Sequence, residues 1–399
     1  MSRLTSPRVA VVEAALADGT SAELQRGVTL LVDGGRIAGL WGASDPPDPA
    51  TLDAVIIDGA GATIVPGMVD SHAHLSMPGG ARWVERGKDS TAELLAVGEE
   101  NGESMVRAGI RWARDVGAPR RPTADGRARA LSLELRDRWA GVPDRPYVRA
   151  AGTWLTRTGS LPPGLAVEVE HGADLVAAVT QQLDDGADLV KLYLDGPDAD
   201  TAPFTAGEVR AAVDAAHARG ARVAAHSGVL PGARVGAEAG VDSLEHGFDL
   251  DADTAALLAA KGVTVVSTLA VLHSWQTFEA TSRIDRFTAP QGVARITERR
   301  ERAEESIRLA HRAGVAIAAG SDFGGGSLRA NHLAWEVQAL VTAGVDPHIA
   351  LAAATWRGGE LLGDEQAGRL RVGGPAHFSL VHGDPLSDPS ALWRVWLTR

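Results

Sequence analysis

The sequence predicts an α/β protein, a (β/α)8 TIM barrel carrying a small β-sandwich built from both chain ends. Three observations lead there. Apolar strand-like runs alternate with amphipathic helical stretches through the middle of the chain, the pattern of a parallel sheet. Eight such runs can be picked out, and eight β/α units favour a closed barrel over an open sheet. Both ends read as short strands and turns. At 399 residues the chain suits a barrel with a partner domain better than one small core. The boundaries follow as 1–62 plus 366–399 for the sandwich and 63–365 for the barrel.

The N-terminal strands are RVAVVEAAL, GVTLLVDGGRIAGLW and AVIIDGAGATI, with a hairpin expected at the DGG turn between Leu31 and Arg36. The stretch from Gly368 onward is again strand-like and turn-rich. The barrel strands are IVPGMVD (from Ile64), GIRWARD (Gly109), YVRAAG (Tyr147), DLVKLYL (Asp188), ARVAAHS (Ala221), VDSLEHG (Val241), VTVVSTL (Val263) and VAIAAGSD (Val315). Between them GEVRAAVDAAHARG and ERRERAEESIRLAHRAG carry apolar residues at helical spacing and end on Gly220 and Gly314, good helix stops. Val271–Thr297 is read as a long loop on the active-site face, a place for a lid or specificity element.

Composition excludes several functions. Net charge is -12, which disfavours a phosphate-binding surface, so nucleic acid is not expected as a partner. There are no cysteines, so disulfides, thiolate ligands and thiol nucleophiles are absent. No run of about 18 apolar residues occurs, and the N-terminus lacks a signal-peptide pattern, so a cytoplasmic protein without a membrane partner is expected. No glycine-rich dinucleotide or phosphate loop accompanies the strands.

Active sites of such barrels lie at the C-terminal strand ends, and metal-ligand residue types fall there. Strand one ends in Asp70-Ser71-His72-Ala73-His74, and an H-x-H pair on extended backbone points both imidazoles to one side. Strand four carries Lys191, strand five ends at His226, strand six at His246 and strand eight at Asp322. Each alone has a structural explanation: a hydrogen-bonded core histidine, a helix N-cap for Asp322, a snorkelling lysine for Lys191. Independent core residues, however, have no reason to stand at matching heights around one ring. Together they read as a metal site.

At this point the chain resembles the amidohydrolase superfamily, in its prolidase-like and imidazolonepropionase-like branch. The resemblance rests on IVPGMVDSHAHL, GADLVKLYLDG, VAAHSG, AGVDSLEHG, AAGSD and DPHIALAAATWRGGELLG, in that order over nearly the whole chain. It implies that His72 and His74 bind a buried metal completed by Asp322, and that His226 and His246 bind a second. Lys191 would bridge both as a carbamate formed with carbon dioxide. A protonated lysine beside two cations is disfavoured by repulsion, whereas its neutral amine adds carbon dioxide. The implied cofactors are two divalent ions, zinc first, with manganese or cobalt accepted by the same donors. A water between two such cations has a pKa near 7 instead of about 15.7. Asp322 would then act as catalytic base and acid.

Substrate contacts are sought among Tyr193, two residues beyond Lys191, then Arg157, His273 and His332, with Trp275 and Asn331 nearby. Arg114, followed by Asp115, reads as an internal ion pair. His217, His311 and His348 lie in helical patterns and read as surface or packing residues. Prolidase-like relatives carry Gly-Gly-His where this chain has Thr158-Gly159-Ser160-Leu161, which weakens transfer of dipeptide specificity. Their Ala-Asp-Leu is Ala376-His377-Phe378 here, a structural segment. The expected activity is hydrolysis of an amide or peptide C–N bond in a small substrate, an N-acyl amino acid or Xaa-Pro-type dipeptide. The rivals are a cyclic-amide hydrolase, of imidazolonepropionase or hydantoinase type, and a non-hydrolytic metal-binding barrel (lyase or isomerase). By analogy with relatives, the protein is expected to be a homo-oligomer.

Overall fold

A computed structural model of the chain describes residues 7–123, 126–196 and 198–399. Its central strands are mostly buried at consecutive positions and so are covered on both faces, Tyr147–Ala150 being the exposed exception. They are Met68–Ala73, Ile110–Asp115, Tyr147–Ala150, Leu189–Tyr193, Arg222–Ser227, Ser243–His246, Thr264–Ser267 and Ile317–Ala319. All pair in parallel with their sequence neighbours, the first three in one ladder and the last five in another. Backbone bonds cross from one ladder to the other on both sides. Asp188 N donates to Ala150 O (2.9 Å), Asp322 N to His72 O (2.8 Å) and His74 N to Phe323 O (3.0 Å).

Helices return the chain between strands for local reasons. In Ala206–His217, Thr205 and Glu208 form a capping box, and Val209, Ala212, Val213 and Ala216 share the buried face. The expected loop 271–297 is not a loop. Helices Leu269–Thr281, Asp285–Thr288 and Pro290–Arg312 fill it. The first was hidden because Leu269 through Leu272, Ser274 and Trp275 are all buried, which leaves no polar alternation to reveal the period. Pro290 opens the last at a position where proline loses nothing.

Both chain ends share one seven-stranded sheet. Phe378–His382 pairs with Ala62–Pro66, which runs beside Arg8–Leu16, and Gln25–Asp33 and Arg36–Trp41 follow. The hairpin is as expected: Asp33 pairs with Arg36 across Gly34 and Gly35, both at positive φ (55° and 80°), as a two-residue turn requires. The run from Ile64 proves to be two strands. Ile64–Pro66 belongs to the end sheet, the inner strand starts at Met68, and Gly67 is the crossing point, where a Cβ would lie 2.8 Å from Arg111 Cγ. Among the described residues no helix is long and apolar enough to cross a membrane.

Candidate metal centre and its cleft

The six predicted ligands line one cavity of about 300 Å3 at the C-terminal ends of the inner strands. His72 and His74 project from the end of the first strand. His72 Nδ1 faces Glu245 Oε2 at 2.7 Å, and His74 Nδ1 faces Gly117 O at 2.7 Å. With those nitrogens engaged, the Nε2 atoms lie 3.5 and 3.2 Å from Asp322 Oδ1. The three residues offer ligand atoms within 4.8 Å of one another, a spacing that can hold an ion. His246 is locked by Thr268 Oγ1 at 2.8 Å, and its ring lies 4.6 Å from that of His72 and 4.5 Å from that of His226. His226 differs, since its Nε2 meets Asp195 Oδ2 at 3.0 Å and its ring stacks on Tyr193 at 4.0 Å.

Backbone strain gathers at the same place. His246 (φ 71°) and Asp322 (φ 50°) are non-glycine residues in the left-handed region, a conformation that costs on the order of 1–3 kcal/mol and persists only where surroundings enforce it. Asp70 enforces it at one end, accepting from Ser321 N (2.9 Å), Ser321 Oγ (2.5 Å) and His72 N (3.2 Å). Glycines admit the close packing. A Cβ on Gly320 would lie 2.3 Å from His72 Cβ, and one on Gly325 would lie 2.0 Å from His74 Cδ2.

Lys191 is 1% exposed, and its Nζ has no hydrogen-bond partner. Burial lowers its ammonium to about 8, with Glu245 opposing and Arg114 assisting. Burial alone would raise the Asp322 carboxyl, but hydrogen bonds from His72 and His74 outweigh it and hold the group well below the usual range. Burial pushes the Tyr193 phenol up, so it stays protonated and able to donate.

Arg114 is internal, as expected, but its partner is not Asp115. Its guanidinium donates to Glu245 Oε1 (2.5 Å), Ser243 Oγ (2.9 Å) and Ser71 O (2.7 Å), while Asp115 accepts from Leu75 N and Gly117 N. Sequence reasoning missed Glu245 because strand alternation placed it opposite His246. The left-handed backbone at His246 breaks that alternation.

Tyr193 and Trp275 line the cleft, whereas Arg157, His273, His332 and Asn331 do not. His273 turns to Glu304 (3.2 Å), because its helix presents Val271 and Trp275 to the cavity. His332 packs edge-on against Trp335 and Trp393. Arg157 ends the short strand Leu155–Arg157, and its charge acts on Glu208. Asn331 borders a separate surface hollow with Trp393. In their place the cavity gains Trp83, Trp154, Asp195, Arg286 and Arg299. His377 is structural, packed against Trp112 and Tyr147.

Comparison with known proteins adds to this geometry. The amidohydrolase family model matches residues 63–397. An uncharacterised protein of Mycobacterium tuberculosis is 33% identical over 340 residues, 79% of this chain and 83% of its own. An imidazolonepropionase of Salinispora arenicola is 34% identical over 270 residues, covering 62% of this chain and 64% of its own. The crystal structure of a Xaa-Pro dipeptidase with methionine bound in the active site superposes with a TM-score of 0.82 at 25% identity, covering 97% of each chain.

Proposed function

The chain belongs to the amidohydrolase family, in its prolidase-like and imidazolonepropionase-like branch, and from that premise we propose a binuclear metal-dependent hydrolase that cleaves an amide or peptide C–N bond. The substrate class is a small molecule of N-acyl amino acid or Xaa-Pro dipeptide type. In this reading its housing is a closed (β/α)8 barrel within residues 63–365, whose inner strands start at Met68, with a β-sandwich from 1–62 and 366–399 to which Ile64–Pro66 also contributes.

One observation carries this reading: the Lys191 amine is buried without a partner inside a ring of four imidazoles and a carboxylate. An unpaired buried polar group costs free energy, and nothing in a purely structural role repays it here. Capped by carbon dioxide, the same side chain presents two oxygens to the ring. The donor chemistry fits divalent ions, with imidazole and carboxylate matching zinc first and manganese or cobalt next. His72, His74 and Asp322 would hold one ion, His226 and His246 the other, and the Lys191 carbamate both.

Ions held there supply Lewis acidity and a water acidified to a pKa of about 7. The remaining work falls to the chain. Asp322, ionised at neutral pH, accepts the proton of the attacking water and returns it to the leaving nitrogen. Tyr193 donates to the substrate. Glu245, Gly117 O and Thr268 fix the orientations of His72, His74 and His246, so that these three imidazoles are held in place beforehand.

The test is metal analysis of purified enzyme together with a panel of N-acyl amino acids, dipeptides and cyclic amides. About two ions per chain and cleavage of a linear amide are expected, with both lost in Lys191→Ala. A fully loaded enzyme that cleaves none of the panel, or metal content unmoved in Lys191→Ala, would refute the reading. The similarity to imidazolonepropionase favours cyclic amides as the second choice, and the same panel decides between them.

A further inference from the structure

Two cations in the cleft have no part in the chemistry above. Arg286 lies on helix Asp285–Thr288 and Arg299 on helix Pro290–Arg312, and both line the cavity with Tyr193 and Phe248. Among the described residues neither forms an ion pair or a hydrogen bond. Each lies instead over an aromatic face, Arg286 at 4.5 Å from the Trp275 centroid and Arg299 at 5.3 Å from that of Phe248.

Their neighbours on the same helix behave differently. Arg300 lies beside Glu304, Arg302 pairs with Glu298, and Arg308 and Arg312 pair with Glu305. Carboxylates are therefore plentiful on this helix, yet among the described residues neither cleft-facing cation forms an ion pair with one. Asp195 stands near Arg299, both flanking Gly228, and the two charges attract, but the Asp195 oxygens are hydrogen-bonded to Gly228 N–H and His226 and form no ion pair with Arg299.

Burial lowers the Arg286 guanidinium, and the like charge of Arg299 adds to the cost. An anion between them removes that cost. A guanidinium lying over a ring keeps its in-plane N–H donors free for the two oxygens of a carboxylate. Apart from the ligand ring, Tyr193 and Asp195, the cleft wall is largely apolar, with Met77, Trp83, Val84, Trp154, Leu161 and Leu165.

We propose that Arg286 and Arg299 are the anion anchor of this cleft, binding the carboxylate of a substrate whose bulky apolar portion packs on Trp83, Trp154 and Leu165. For the reaction this rests on the hydrolase reading above; for binding it does not.

The experiment measures calorimetric binding of L-phenylalanine and L-phenylalaninol to the metal-loaded enzyme. Neither ligand holds a bond to cleave, so binding is read apart from turnover. Wild type is expected to prefer the carboxylate by at least about tenfold, and Arg286→Gln and Arg299→Gln each to reduce that preference by about tenfold. Arg302→Gln, whose side chain pairs with Glu298, should leave it unchanged. A carboxylate-to-alcohol ratio equal in wild type and both variants, or failure of wild type to bind either ligand, would overturn the anchor. If no amide is cleaved while the ratio behaves as expected, the anchor stands and the hydrolase reading falls.

Discussion

The floor of the cleft and its rim are built by opposite means. On the floor, six candidate ligands come from the ends of five inner strands; His72, His74 and His246 are each fixed through a second ring atom, and the backbone is strained at His246 and Asp322. On the rim, Arg286 and Arg299 hang from helices, lie over aromatic faces and, among the described residues, form no ion pair or hydrogen bond. The difference follows from the two tasks. Reacting groups must be held within a fraction of an ångström, and strands of a packed sheet can do so. An anchor for a small anion needs charge and reach, which a helix on the outside supplies.

If the floor has no slack, filling it with one methyl should produce the largest effect of any single change. In Gly325→Ala the new Cβ would fall 2.0 Å from His74 Cδ2 and 2.9 Å from Asp322 Oδ1. We expect a loss of about hundredfold or more in kcat/KM together with reduced metal content, read by steady-state kinetics and elemental analysis. A variant that keeps full rate and metal would erase the contrast between floor and rim.

Glu245→Gln comes next. Glu245 is fully buried, accepts from Arg114 at 2.5 Å and orients His72. Removing its charge strands a buried guanidinium, so a loss of about 3–5 kcal/mol in denaturant unfolding is expected. Metal affinity should also drop about 10- to 100-fold. A variant with weakened metal binding but unchanged stability would assign Glu245 to the imidazole alone.

Glu336 tests the joint between floor and rim. From helix Leu333–Thr342 it accepts from Ser267 Oγ (2.5 Å) on the seventh inner strand and from Ala270 N (2.7 Å) at the start of the rim helix. Burial raises its carboxyl to about 8, against those two hydrogen bonds. Because the folded value exceeds the ordinary 4.5, the native state holds the extra proton, and the stability this gives is lost as pH climbs toward and past 8. Wild type should therefore lose about 2–3 kcal/mol between pH 6 and 9 relative to Glu336→Gln, which keeps the shape and cannot ionise. Parallel stability curves for the two proteins would show the carboxyl to be ionised throughout.

How legible each region was in the sequence follows the same division. The floor could be read because its ligands are rare residue types at strand ends, where the period of two and the order of motifs locate them. Glu245 escaped because a positive φ one residue later overrides strand alternation, and no single sequence announces that angle. The rim was misread for a different reason. A helix buried on several faces has no amphipathic period, so the part of it from Val271 onward reads as loop in the sequence, with no side-chain directions assigned. His273 and Trp275, two residues apart, then looked equivalent, although helical geometry sends one to Glu304 and the other to the cavity. Arg286 and Arg299 look like ordinary helix charges, since only the structure reveals that they lie over aromatic rings in the cleft while Arg300, Arg302, Arg308 and Arg312 have carboxylates beside them.

The smallest expected effect belongs to the rim and sharpens the comparison from that side. Trp83 lies on the short helix Trp83–Arg86, is partly exposed and lines the cleft. If floor and rim are as separate as their construction implies, Trp83→Ala should change binding and leave chemistry alone. KM for substrates with a bulky apolar group should rise about tenfold, the worth of a lost aromatic contact, while kcat stays within about twofold. For a substrate with a small side chain both constants should hold, since it never reaches that wall. An equal fall in kcat for both substrates would mean that Trp83 helps to position the reacting groups, so that rim and floor work as one unit.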